Sequence, residues 1–328
     1  MRRKSVILSL IGLLLGLTGI GLVVYNRYFL APPMAAKLLP EGDLLVYANL
    51  KPLHLFDLGK SAPVEIDADY KDFIAQTGIR VERDLDSVAM SRRDTPDRSD
   101  VESSEIFVGR FDPVRLKAYL SKLSVRTGEY RGHIIFDFMH EGHYIRVCIL
   151  DETKVAVTNM ERADPMYGII DGFVAKRRAG PSLLDSFYDN VPSGSLVWLI
   201  ARIPNRPDNV QLPGGFTFTL PGDTTAVGSL RYTGSLLFRA DVFAQSESQA
   251  RQIADAANTH LALVRSIGQF VGRKGTDKDV KAAFDSIQVE QKENVATITA
   301  TVPQSVLKKL WSEVQAEGAA PAVPQPKR

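Results

Sequence analysis

At 328 residues the chain can hold one large domain or two ordinary ones, and 24% charged with 45% apolar residues is the balance of a chain that folds. A formal net charge of +2 argues against a nucleic-acid footprint, which needs a basic face or stripe. The single cysteine, Cys148, excludes an intramolecular disulfide, and no cysteine follows the first hydrophobic stretch to carry a lipid.

That stretch, Val6 to Tyr25, contains no charged residue and follows Arg2, Arg3 and Lys4. About 20 apolar residues at ~1.5 Å each span the ~30 Å hydrocarbon core of a bilayer. A cleavable signal peptide has a shorter core of ~7–15 residues. Here the core runs into Tyr25-Asn26-Arg27-Tyr28-Phe29, an aromatic and basic collar, and Ala31 to Ala36 makes a poor cleavage region. Residues 1–30 are therefore expected to be an uncleaved signal-anchor with a cytoplasmic N-terminus, and the remainder to lie outside the cytoplasm. Gly12 and Gly16, four residues apart, offer a small-residue face through which two anchors could pair into a homodimer.

After a linker over 31–37, Leu39 to Leu50 reads as a turn leading into a strand, and the arrangement recurs from Val191 to Ile200. One offset aligns Pro40 with Pro192, Gly42 with Gly194 and Leu44 with Leu196. Ser103–Phe111 predicts a strand, followed by a helix over Pro113–Leu123 with Asp112 as its cap and Pro113 in first position. Ser235–Phe243 predicts the matching strand, with a longer helix over Glu247–Val271 opened by the capping box Ser246-x-x-Gln249. Each half then closes with a hairpin and a helix. His133–His140 and His143–Leu150 flank a two-residue Glu141-Gly142 turn that sets Asp137 opposite Arg146. Lys154–Thr158 reads as the next strand. Asp164 is expected to cap a helix running through Met166, Ile169, Ile170 and Phe173 to Lys176, Arg177 and Arg178, with Gly180 beyond. In the second half the closing elements are Ser286–Glu290, Val295–Val302 and a helix over Pro303–Gln315.

The expected fold class is α+β: an N-terminal transmembrane helix, then two related units over 38–185 and 186–317, each a mainly antiparallel sheet with packed helices. Ser91–Ser103 reads as a charged insertion, Pro204–Asp223 as a loop, and 318–328 as a disordered Ala/Pro-rich tail.

Chemistry is sparse. His140 and His143 sit opposite each other beside the hairpin turn and are the only residues with a metal-ligating arrangement, though the spacing supplies no third ligand. His133 shares the hairpin, His260 lies at the margin of the long helix, and His54 is in a loop. Asp67, Asp69 and Asp72 lack the glycine and terminal glutamate of a calcium loop, and Asp84 and Asp86 read as acids that satisfy turn amides. No phosphate loop, dinucleotide fingerprint or nucleophile elbow occurs, so no catalytic residue and no cofactor is assigned.

Thr77-Gly78, Asp84-Leu85-Asp86 and Gly109-Arg110-Phe111-Asp112 resemble recurrent signatures of uncharacterised, membrane-anchored exported bacterial proteins with duplicated α+β halves. The resemblance covers most of 38–317. It implies the bacterial cytoplasmic membrane, with the bulk of the chain periplasmic, and brings no site residues. The function expected is that of a single-pass, extracytoplasmic, non-enzymatic module for protein or ligand binding. Two alternatives stand beside it: an accessory subunit of a membrane complex, and an envelope hydrolase or metal enzyme centred on His140 and His143.

Overall fold

Tight turns and alternating apolar residues build the fold strand by strand. The structure, a computed structural model, describes residues 31–52, 68–93, 101–177, 179–204, 208–212, 216–271 and 278–306. At Glu141 (φ 50°) and Gly142 (φ 86°) the chain reverses in two left-handed residues, joining β5 (His133–His140) to β6 (His143–Asp151). Phe138 faces Ile145, Phe136 faces Val147 and Asp137 faces Arg146, as the alternation predicts. The other strands of this sheet are β1 (Leu44–Asn49), β2 (Leu85–Arg93), β3 (Glu102–Gly109), β4 (Arg126–Tyr130), β7 (Lys154–Thr158) and β8 (Val197–Ile203). They continue with β11 (Thr224–Tyr232), β12 (Leu236–Phe243), β13 (Gln288–Lys292) and β14 (Val295–Val302). All pair antiparallel in the order β13-β14-β12-β11-β8-β1-β2-β3-β7-β6-β5-β4. β9 (Asp208–Leu212) and β10 (Phe216–Leu220) form a separate hairpin.

Each half is expected to form a sheet of its own, and among the described residues the strands of both halves join in one twelve-stranded sheet. The junction is β1 against β8, where Leu45 faces Ile200, both fully buried, and Tyr47 stacks on Trp198 at 5.6 Å between ring centroids. Outward from this pair the sheet reads β1-β2-β3-β7-β6 on one side and β8-β11-β12-β14-β13 on the other. The outermost strands, β4 and β13, are short and carry Arg126, Glu129, Glu290 and Lys292, charges that discourage edge-to-edge association.

The register assigns every strand residue to one of two faces. On the first face Leu45, Ala89, Ile106, Ile135, Cys148, Ala156, Ile200 and Val227 share one core with α1 (Met34–Leu38), α5 (Asp164–Val174) and α6 (Ser182–Phe187). Met166, Ile169 and Ile170 of α5 are fully buried, each stabilising the fold by roughly 1.5–3 kcal/mol. The second face carries two separate cores. α2 (Ala68–Thr77) packs on α4 (Pro113–Leu123) over Phe107, Phe136, Val147 and Val155, while α7 (Glu247–Val271) packs over Val242, Ala296 and Ile298. Two short helices, α3 (Val81–Asp84) and α8 (Lys278–Asp285), and a 3-10 turn over Tyr188–Asn190 are also present.

Several local expectations change. The 31–37 linker contains α1, whose Ala35, Ala36 and Leu38 lie inside the first core, because an apolar run this short can be a buried helix as readily as a tether. Asp164 does not cap α5. It sits in the first turn and pairs with Arg162 at 2.8 Å, while Ala163 holds the cap position. The helix ends at Val174, before the basic run, where Lys176 turns left-handed (φ 49°). The loop expected over Pro204–Asp223 contains β9 and β10, whose Phe216-Thr-Phe-Thr-Leu220 alternation is a strand signal set among Pro and Gly. The expected charged insertion over Ser91–Ser103 gives up both its ends to β2 and β3. The boundary at 185/186 falls inside α6. The anchor 1–30, the tail 318–328 and the helix expected over 303–315, beyond its first residues, lie outside the described residues. Among the described residues no helix is long and apolar enough to cross a membrane.

Candidate functional site

On the second face, between the α2–α4 layer and α7, four central strands leave apolar side chains partly open. Reading the register from β3 to β12, one row runs Glu105–Met90–Val46–Leu199–Gly228–Ala240. The next runs Phe107–Val88–Ala48–Val197–Leu230–Phe238. These strands alternate strictly, so the residues facing the first core alternate with residues facing this strip. α1 and α6 cover the central strands from the first face. On the strip Leu199 keeps 38% of its surface exposed and Phe238 39%. Val46, Ala48, Val88, Met90, Val197 and Leu230 are half-buried around them. Leu199 leans over Gly228, where an added Cβ would come within 3.1 Å of its Cγ, so the glycine is what allows leucine to lie flat there.

Glu105 is the one ionisable group in these two rows. It is half-buried, and the Ser103 hydroxyl donates to its Oε1 at 2.7 Å. Burial pushes its carboxyl above the usual glutamate range, against the weaker opposing pull of the Ser103 hydrogen bond. A carboxyl at the border of an apolar strip fixes charge preference, while the strip supplies area.

The residues that carry the sequence resemblance meet at one end of the sheet as turns and caps. The Asp84 carboxylate accepts from the Arg80 amide (2.9 Å) and from Arg83 (2.7 Å), and Arg110 lies 3.7 Å away. The Arg83 hydrogen bond, more than any other influence, holds this carboxyl below the usual range. Gly109 is required because a Cβ there would collide with the Asp84 carbonyl oxygen, and the Arg110 amide donates to that same oxygen. Gly78 adopts φ 74°, with the Thr77 hydroxyl donating to Phe73 O and accepting from the Ile79 amide. Asp112 caps α4 by accepting from the Val114 and Arg115 amides.

His140 and His143 face each other as the hairpin requires and are exposed. Among the described residues no three His, Cys, Asp or Glu side chains converge into a metal-holding group. His133 packs edge-on against Phe173, and His260 is half-buried on α7. Gly12 and Gly16 lie outside the described residues. Cys148 is buried, its thiol pushed up to about 12 by burial, far from the range of a nucleophile. Sequence reasoning missed the strip because its residues come from six strands. The one local signal, Leu and Phe at outward-alternating positions of β8 and β12, reads as ordinary strand alternation until the packing is known.

No protein-family model matches the chain, and no curated protein matches it. Among solved structures it is similar to TP0453. Crystal form III aligns with 12% identity and a TM-score of 0.44, over 86% of this chain and 98% of that one. Crystal form IV aligns with 13% identity and a TM-score of 0.44 over 86% and 96%. Crystal form I aligns with 13% identity and a TM-score of 0.43 over 87% and 97%.

Proposed function

We propose that the protein is a non-enzymatic, single-pass membrane module of a bacterial envelope that binds a protein partner on the open strip of its sheet. The observation that carries this is the exposure of Leu199 and Phe238 amid half-buried apolar neighbours on a rigid twelve-stranded platform. Large apolar side chains in a contiguous exposed patch mark interaction surfaces. The uncharged Val6–Tyr25 segment and its Arg2-Arg3-Lys4 flank support a cytoplasmic N-terminus with the sheet outside the cytoplasm. Gly12 and Gly16 are the face through which two anchors would pair.

The platform is read as two related units joined edge to edge. The 152-residue offset that relates Pro40 to Pro192 also relates Leu44 to Leu196 and Asn49 to Ala201. Leu44 faces Ala201 in the β1–β8 ladder, and the equivalent contact, Asn49 N–H to Leu196 O, is made at 2.7 Å. The two strands that this offset relates, β1 and β8, pair antiparallel at the junction.

The test is in-cell photo-crosslinking from the full chain, with a crosslinking residue at position 199 or, as control, at Val114 on α4, which is 77% exposed. A discrete adduct from 199 and none from 114 is expected. Adducts of equal yield from both positions overturn the binding surface. Turnover of any member of a broad substrate panel by the purified chain overturns the non-enzymatic reading.

A further inference from the structure

The second face holds helices over both flanks, with the open strip between them. Among the described residues no long helix packs on its floor, which spans β2, β1, β8 and β11 and borders Phe238 on β12; four strands at about 4.8 Å each make it close to 19 Å. One α-helix with its side chains is about 10–12 Å across. The floor takes one helix with room at its flanks and is too narrow for two side by side, and the apolar rows Met90–Val46–Leu199 and Val88–Ala48–Val197 give it a continuous seat. Charge marks one border. Glu105 stands one strand beyond Met90, three strand spacings or about 14 Å from Leu199, with a hydroxyl as its side-chain partner among the described residues.

We propose that the strip seats one amphipathic helix of a partner protein, and that an arginine or lysine at the edge of that helix's apolar stripe pairs with Glu105. This rests on the binding function proposed above and adds the chemistry of the partner. The apolar stripe covers Leu199 and Phe238. The long aliphatic stem of the basic residue lies along Met90, and its cationic head reaches the carboxylate. A half-buried carboxylate attracts a cation through a lower dielectric than a solvated one does, and the pair fixes helix direction and register.

The experiment uses the full chain in lipid nanodiscs and two fluorescein-labelled synthetic helices of leucine and glutamine. One carries a single lysine beside the leucine stripe and its twin carries glutamine there. Fluorescence anisotropy is expected to give about tenfold tighter binding of the lysine peptide, the factor equivalent to ~1.4 kcal/mol. Glu105→Gln is expected to remove that preference and leave the glutamine peptide's affinity unchanged. Leu199→Asp is expected to weaken both peptides at least tenfold, with Leu199→Ser as the milder variant should the aspartate unfold the chain. Equal affinities for the two peptides in the unsubstituted chain overturn the cationic partner while leaving the binding surface standing. Failure of both peptides to bind, or binding insensitive to Leu199→Ser, overturns the surface itself. Displacement of both peptides by a fluorescent fatty acid assigns the strip to lipid and overturns the helical occupant.

Discussion

Arg146 stands directly opposite Asp137 in the β5–β6 ladder, yet its guanidinium serves the backbone of the next loop. Nη1 donates to Met160 O at 2.5 Å and to Arg162 O at 3.4 Å, and Nη2 donates to Glu161 O at 2.9 Å. The nearest approach to Asp137 is 3.9 Å, while Arg126 meets the same carboxylate at 2.5 Å. Buried carbonyls need donors, and this arginine supplies them at the entrance to α5. Arg146→Met is expected to destabilise the protein by about 3 kcal/mol, since it strips the loop carbonyls and leaves Asp137 with one exposed partner. Urea unfolding followed by the fluorescence of buried Trp198 measures it.

Gly109→Ala is expected to cost about 2–3 kcal/mol, because the added methyl meets backbone that cannot swing aside. Gly128→Ala is the control: no atom stands within 4 Å of its would-be Cβ, and the change in urea midpoint should be small.

Asp112 and Asp164 both precede a proline at a helix start, and only Asp112 accepts helix amides. Asp112→Ala is therefore expected to cost about 1 kcal/mol, and Asp164→Ala no more than about 0.5 kcal/mol. Thermal melts of the two variants separate them, and equal losses would contradict the capping geometry.

Glu105 governs a pH dependence. Its carboxyl titrates higher in the fold than in the unfolded chain, so the native state holds the proton more tightly. Stability from this group is full below the unfolded value of about 4.3 and is lost as pH rises through the raised folded value. Glu105→Gln, which cannot ionise, is expected to stabilise the protein at pH 7.5 and to change little at pH 4. Urea titrations at the two pH values give the difference directly. Asp84, held low by Arg83, works in the opposite sense, its contribution present above the unfolded carboxylate value and lost as pH falls. Comparing Glu105→Gln with the unsubstituted chain at each pH cancels it.

Much of the architecture was legible where a local rule has no competitor. The Glu141-Gly142 turn and its flanking alternation fix the β5–β6 register, and Asp112-Pro113 fixes the start of α4. The capping box before α7 forms with one change: the Ser246 hydroxyl receives the Gln249 amide, while the Gln249 side chain returns to the Gln245 amide. The surroundings of one pair were harder to read. Asp137 and Arg146 read as a cross-strand pair; both are buried, and Arg146 donates to the loop before α5. A charge pair looks the same in sequence whether water or a loop lies over it.

By itself the sequence determined the β5–β6 hairpin, the caps at Asp112 and Ser246 and the uncharged opening stretch, since each depends on residues within a few positions of one another. Only the tertiary structure decided that β1 pairs with β8 and places both halves of the chain in one sheet. It alone decided that α1 is core and that Leu199, Phe238 and Glu105 share an open strip. Strand pairing across some 150 residues depends on which edges and apolar faces remain unsatisfied after local structure has formed. That is a property of the assembled sheet, and no window of the chain contains it.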